Sequence, residues 1–334
     1  MKKILPILIL ILSVLLPAKK TVIKLATLAP KGSDMHSLMV EMGQRWTAAT
    51  NEEIILRIYP NGVVGDERDM IRKIRIGQIH AAAVSTEGLS VISTDVYGFL
   101  IPLLFEDFDD VDWVRDRITP ELEKDFYENG FVILNWGDVG WAYWFTKTPL
   151  RTQDDLKGMH IFTWAGDYHT PELWKNAGFT SVQLAYLDAL SGLQTGLIDA
   201  ISVPPIIALS SQFFGPANHM LDMKWGLVTG GTVIYRPVWE KIKPEYREAM
   251  MTIAKEIGLE QQKVNRKIDG KAIETMREYG LEVYQPTVGE MQAWKELTRS
   301  FYPDIRGSLI PTEIFDRVID LKALKDSLDA ESAQ

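Results

Sequence analysis

Five histidines, His36, His80, His160, His169 and His219, are the first residues in which to look for chemistry. None stands four residues from another, the spacing that sets two imidazoles on one helix face around a metal, so each reads as structural. The run Glu106-Asp107-Phe108-Asp109-Asp110-Val111-Asp112 has the carboxylate density of a calcium loop but lacks its glycine and closing glutamate. Acidic residues gathered at the first turn of a helix, where the dipole favours them, explain it better. The chain has no cysteine, which excludes disulfides, cysteine-ligated zinc, iron–sulfur clusters and a thiol nucleophile. No P-loop, Gly-x-Gly-x-x-Gly or Gly-x-Ser-x-Gly is present, and a hydrolase or lyase would need a nucleophile beside a base that the sequence does not offer.

Aromatic side chains remain, and their chemistry is binding rather than bond making. Trp136, Trp141, Tyr143, Trp144 and Phe145 crowd one stretch, Phe162 and Trp164 another, and Trp225 stands alone. Strand alternation puts Trp141, Tyr143 and Phe145 on one face and Ala142 and Trp144 on the other. Most of these rings read as core. Trp164 differs, because the strand breaks there into Ala165-Gly166-Asp167, which makes it a candidate pocket wall. Glu67 at the start of a helix either accepts a hydrogen bond from a ligand or stabilises the helix end, and the dipole favours the second role.

The elements that must position these residues begin after an export signal. Lys2 and Lys3 precede an apolar run from Ile4 to Ala18, too short for the roughly 20 residues of a bilayer crossing, so residues 1–18 read as a signal peptide rather than an anchor. The mature chain is then exported and soluble. Its 334-residue length favours two lobes, and 36 basic against 45 acidic residues, a net charge of −9, argue against a nucleic-acid partner.

Thr21–Leu28, Ile54–Tyr59 and Ile79–Val84 read as strands, with intervening helices opened by Ser33 and Asp66, a parallel α/β arrangement. An internal echo follows. Ile74-Arg-Ile-Gly77-Gln-Ile79 lines up with Leu193-Gln-Thr-Gly196-Leu-Ile198, each a helix ending at a glycine before a buried strand. Two similar α/β lobes would face each other, with ligand at the carboxyl ends of the strands. From Trp239 to Tyr279 a helical pattern is interrupted only by Gly258 and Gly270; unbroken, it is long enough to brace both lobes, and a break at either glycine is the alternative. Thr287 and Glu290 form a capping box ahead of packing helices.

Leu25-Ala-Thr-Leu-Ala-Pro30, Tyr59-Pro-Asn-Gly62 with Gly65-Asp-Glu67 and Gly77-Gln, and Asp155-Leu-Lys-Gly158 through Trp164-Ala-Gly166 resemble the DctP-type solute-binding subunit of TRAP (tripartite ATP-independent periplasmic) transporters. The resemblance covers nearly the whole mature chain. It implies a periplasmic receptor, not an enzyme, with a type II-like two-lobed α/β binding-protein fold, each lobe a mixed sheet flanked by helices, a long helix about 239–279 across both, and delivery to a membrane permease. Lobe one is expected over 19–145 with 230–334 returning to complete it, and lobe two over 146–229. No cofactor or metal is implied.

One departure bears on the ligand. Members of this family carry an arginine that clamps the substrate carboxylate, and by register that position is Phe162, which has no charged fork to offer. The loss suggests an apolar or amphipathic ligand, and it resembles a subgroup that pairs with a periplasmic TPR-repeat protein. Arg236, Arg151 or Lys147 would have to replace the clamp for an ordinary organic acid. The ligand site is expected from Leu28, Ala29, Pro30, Ser85 and Thr86 with Glu67 in lobe one, and from Phe162, Trp164 and Pro204 in lobe two, with Trp141 and Trp225 as lining residues. A periplasmic adaptor holding another protein through an aromatic surface is the alternative from a different class.

Overall fold

The β-rich segments of the sequence assemble into nine strands in a computed structural model that describes residues 20–332; the expected signal segment lies outside the described residues. They are β1 (Thr21–Thr27), β2 (Ile54–Tyr59), β3 (Ala81–Ser85), β4 (Phe131–Thr146), β5 (His160–Trp164), β6 (Thr180–Leu184), β7 (Ala200–Val203), β8 (His219–Tyr235) and β9 (Glu282–Tyr284). Their spatial order is β2-β1-β3-β8-β4-β7-β5-β6, with β9 also on β8. Strand β1 runs parallel to β2 and β3, and β5 runs parallel to β6 and β7. The two parallel groups are joined by the antiparallel pair β4 and β8, 16 and 17 residues long, which cross from one to the other. Each half is therefore a mixed sheet, as the sequence implies.

The crossing is irregular for a local reason. The β4–β8 register shifts between Asp138 and Gly140, where a β-bulge bends the strand. Gly140 has a φ of 143°, and a Cβ there would lie 2.9 Å from an Asp269 oxygen and 3.1 Å from Pro204 Cβ, so only glycine fits. The echo also has its conformational basis: Gly77 and Gly196 have φ of 75° and 78°, both left-handed ends of helices that lead into strands.

The long helix is one piece, Pro244–Glu278, preceded by a separate turn at Arg236–Trp239, so it starts later than the sequence pattern suggests but does not break at either glycine. Gly258 is where it touches the sheet: a Cβ there would stand 2.7 Å from Asn135 Cβ and 2.8 Å from the Trp136 carbonyl oxygen. Asn135 Nδ2 donates to the Ala254 carbonyl at 3.0 Å, fixing that approach. The helix packs against both the helix Asp34–Ala49 and the helix Pro205–Ser210, which follow β1 and β7 in opposite halves.

The long strands are shared between the two parallel groups. Tyr143 to Thr146 pair with β7, while β4 pairs with β8 along most of its length. The C-terminal segment does not simply return to the first half. Strand β9 pairs with β8 at His219–Leu221, and the helix Val288–Ile305 buries Trp294 with Trp144, Met159, Phe179 and Trp225 of the second half. Trp294 Nε1 also donates to the Arg151 carbonyl at 2.9 Å. A large aromatic ring is placed by its burial, and the sequence periodicity that identifies this helix does not say which half it covers. Among the described residues no helix is long and apolar enough to cross a membrane.

Candidate functional site

The carboxyl ends of β1, β3 and β5 converge on a cavity of about 630 Å³. Turns after β1 and β3 supply Leu28, Ala29 and Pro30 and then Ser85, Thr86 and Glu87 on one side. Phe162, Thr163 and Trp164 of β5, with Asp167, Tyr186 and Pro204, face them. The floor is Ala142 and Trp144 of β4 with Trp225 and Val228 of β8. Ten of the eleven residues expected at the site from sequence thus line one cavity.

Trp141 is the exception. The alternation along β4 holds, with Trp141, Tyr143 and Phe145 in one core cluster and Ala142 and Trp144 in another. Trp141 is buried beside Phe108, their ring centroids 5.4 Å apart, with Lys224 Nζ 5.1 Å from its centroid. Ala142 and Trp144, on the other face of the strand, are among the lining residues.

Trp164 and Tyr186 form a stacked pair, centroids 5.1 Å apart and planes 12° from parallel, and Phe162 meets Trp164 edge-on at 5.9 Å. Tyr186 is fixed from both ends. Its hydroxyl shares a 2.7 Å hydrogen bond with Ser211 Oγ, and its backbone N–H donates to Asp66 Oδ2 at 2.8 Å across the cavity mouth. That second bond ties the two halves together.

The charges at the site are acidic. Glu67 accepts from Ser85 Oγ at 2.6 Å, Ser85 N at 2.9 Å and Gly88 N at 3.1 Å, so its carboxylate buckles the helix Glu67–Arg75 to the β3 turn. It reaches the turn after β3 rather than its own helix end, and it is also among the residues lining the cavity. Burial outweighs these donors and pushes Glu67 up to about 7. Glu87 is pushed up to about 8, first by burial and then by the Asp167 charge facing it. Tyr97 donates its hydroxyl to Glu87 Oε1 at 3.2 Å.

Glu67 makes stability depend on pH with a definite sign. A carboxyl raised from 4.5 to about 7 on folding keeps a proton that the unfolded chain releases. Its contribution is complete below pH 4.5 and is lost as pH rises through 7. In urea unfolding at a series of pH values, Glu67→Gln is expected to flatten that fall; an unchanged profile would assign it to other groups.

No lysine, arginine or histidine is among the residues lining the cavity. The three cations considered as clamp substitutes lie elsewhere. Arg236 donates to the Tyr127 carbonyl at 2.9 Å, Arg151 lies over the Tyr284 ring at 4.8 Å, and Lys147 stands beside Gly196. Sequence reasoning missed Arg68, whose Nη1 lies 3.5 Å from Glu87 Oε2 and 3.3 Å from Ser90 Oγ, behind the lining. Its position one residue after Glu67 on an amphipathic helix was the available signal. Among the described residues no three metal-ligating side chains cluster, and Asp107 caps the helix Phe108–Glu128 by accepting from Asp110 N at 2.9 Å, the role expected of the acidic run.

Two mixed α/β halves joined by crossing strands, with a ligand-sized cavity at the strand ends, have the layout of a small-molecule binding site. The model of the bacterial extracellular solute-binding protein family 7, DctP, matches residues 25–307, and the chain belongs to that family, whose members are periplasmic receptors of TRAP transporters rather than enzymes. The chain is 25% identical over 236 residues to the 2,3-diketo-L-gulonate-binding periplasmic protein YiaO of Escherichia coli, covering 70% of this chain and 72% of that protein. It is 22% identical over 272 residues to the C4-dicarboxylate-binding periplasmic protein DctP of Rhodobacter capsulatus, covering 80% of each. The sugar acid binding protein of Advenella mimigardefordensis, solved with galactonate, superposes with a TM-score of 0.84 over 91% of this chain and 98% of that one, at 15% identity.

Proposed function

We propose that this receptor takes an uncharged, predominantly apolar organic ligand into the cavity between two lobes and hands it to the TRAP permease. The observation that carries the reading is the lining itself: Phe162 where the resemblance implies an arginine, aromatic rings around it, and carboxylates as its only charged groups. An anionic ligand would find no cation in the lining itself, since Arg68 lies behind it against Glu87. The lobes are the two halves of the sheet, and closure bends β4 and β8 near Asp138–Gly140 and Val228–Gly230. A periplasmic TPR-repeat partner fits the same reading, since an apolar solute needs a carrier on its way to the receptor.

A second reading has one observation in its favour. Arg68 Nε is buried with no partner among the described residues, and a small rearrangement of Glu87 would turn this guanidinium toward the cavity. The relatives named above bind sugar acids and dicarboxylates, which suits that alternative. Native followed by denaturing mass spectrometry of the purified protein, with organic extraction of what is released, separates the two. A neutral apolar molecule at one per chain is the expected result; a carboxylic acid whose binding is lost in Arg68→Lys would overturn it.

A further inference from the structure

Three contacts cross between the halves at the rim of the cavity, and all three come from one short stretch of the first half. Asp66 stands ahead of the helix Glu67–Arg75 with its carboxylate divided between two tasks. Oδ1 accepts from Glu67 N at 2.7 Å at the helix start, and Oδ2 accepts from Tyr186 N at 2.8 Å, in the turn Tyr186–Asp188 after β6. Capping a helix needs only the first of these. Four residues earlier, Gly62 has a φ of 66°, and a Cβ there would stand 3.0 Å from Leu28 Cδ2 and 3.2 Å from Leu187 Cδ2. The bare backbone at Gly62 therefore lets Leu187 of the second half seat against the turn after β2. Gly166 is the counterpart across the rim: a Cβ there would lie 3.2 Å from Arg72 Nη2 and 3.7 Å from Arg68 Nε.

These contacts are spare parts as far as folding either half is concerned. Leu187 remains 54% exposed even with its neighbour in place, and the Tyr186 N–H would meet water once the halves parted. A carboxylate that accepts from an amide is one of the stronger hydrogen bonds a chain can make, and this one lies where the halves must separate for the cavity to open. It also anchors the backbone of the ring that stacks on Trp164, so the aromatic wall and the rim are held by the same bond.

We propose that Asp66 is the latch of this receptor: its Oδ2, with Leu187 seated at Gly62, holds the halves together over the cavity, and opening requires that bond to break. The inference does not depend on the chemistry of the ligand. Affinity for any ligand of the closed cavity scales with the closed fraction, so a residue that touches no ligand would still set how tightly one is kept.

The absence of cysteine makes the test direct, because spin labels can be placed at Gln44→Cys in the helix Asp34–Ala49 and Lys157→Cys in the helix Gln153–Lys157, both exposed and in opposite halves. Pulsed electron paramagnetic resonance should find the closed separation populated in the doubly labelled parent. In Asp66→Ser, which keeps a capping oxygen but cannot reach Tyr186, the closed-to-open ratio should fall about tenfold or more. Asp66→Asn, which caps and retains a neutral acceptor, should fall between the two, and Leu187→Ala should lower the ratio by a smaller factor. Hydrogen exchange reads the bond itself: the Tyr186 amide should exchange faster in Asp66→Ser by a similar factor, while the amides of the helix Glu67–Arg75 keep their protection. No closed population in the parent, an unchanged distance distribution in Asp66→Ser, or faster exchange confined to the helix Glu67–Arg75 would overturn the latch and leave Asp66 a helix cap.

Discussion

Replacing Trp164 with alanine is expected to weaken ligand binding about 30-fold or more, roughly 2 kcal/mol, while costing less than about 1 kcal/mol of folding stability. The asymmetry follows from where the ring's contacts are. One face stacks on Tyr186 and its edge meets Phe162, but the residue remains partly exposed because it lines the cavity. Ligand burial completes its enclosure, so most of the ring's desolvation is gained on binding rather than on folding. Trp144 gives the control. It is fully buried among Trp174, Trp225 and other core side chains, so Trp144→Ala is expected to cost about 3–5 kcal/mol of stability. Calorimetric titration beside urea unfolding distinguishes the pair. Equal losses of binding and stability in Trp164→Ala would make Trp164 a core residue.

Trp164 was legible in the sequence because a strand visibly breaks beside it, and the same is true of the turns that present Leu28–Pro30 and Ser85–Thr86. Those positions are fixed by local chemistry: a proline or glycine ends the strand, and the strand end is the site. The choice between Trp141 and Trp144 was not local. Alternation places them on opposite faces, but which face meets the cavity depends on the helix Phe108–Glu128 covering one side and β4 pairing with β7 and β8 in the plane. Trp174, Ala177 and Phe301 were invisible as lining for the same reason. Trp174 and Phe301 sit in helices and Ala177 in the turn that follows one, and helical periodicity does not say which residues border a cavity. The sharing of β4 and β8 between the two parallel groups left no mark in the sequence, because a long strand carries no composition shift where its partners change.

Asp138→Ala is expected to cost about 3–5 kcal/mol of stability, although the residue touches neither the cavity nor the core clusters. Its side chain is fully buried at the bulge where β4 crosses between the halves. Arg115 of the helix Phe108–Glu128 donates to one oxygen, and Arg266 of the long helix donates to the other through Nε at 2.8 Å. Arg266 also grips Asp112 with both terminal nitrogens, at 2.6 and 2.5 Å, and Asn265 Nδ2 donates to the Asp138 carbonyl at 2.6 Å. These hydrogen bonds, those to Asp112 first, hold the Arg266 guanidinium above its ordinary range. Removing Asp138 leaves Arg115 buried without its main counter-charge, and that stranded cation rather than the lost bond sets the size of the effect. Asp112, exposed and at the network's edge, sets the contrast: Asp112→Ala should cost about 1 kcal/mol or less in the same urea experiment. Asp138→Ala combined with Arg115→Met should recover part of the loss, because the uncompensated charge leaves with its partner. No recovery in the double variant would show that the bulge itself, not the ion pair, carries the energy. The network ties β4 to the long helix at one of the three register shifts of the β4–β8 pairing. It holds the bulge through both strand and helix, so that the two cannot shift there independently.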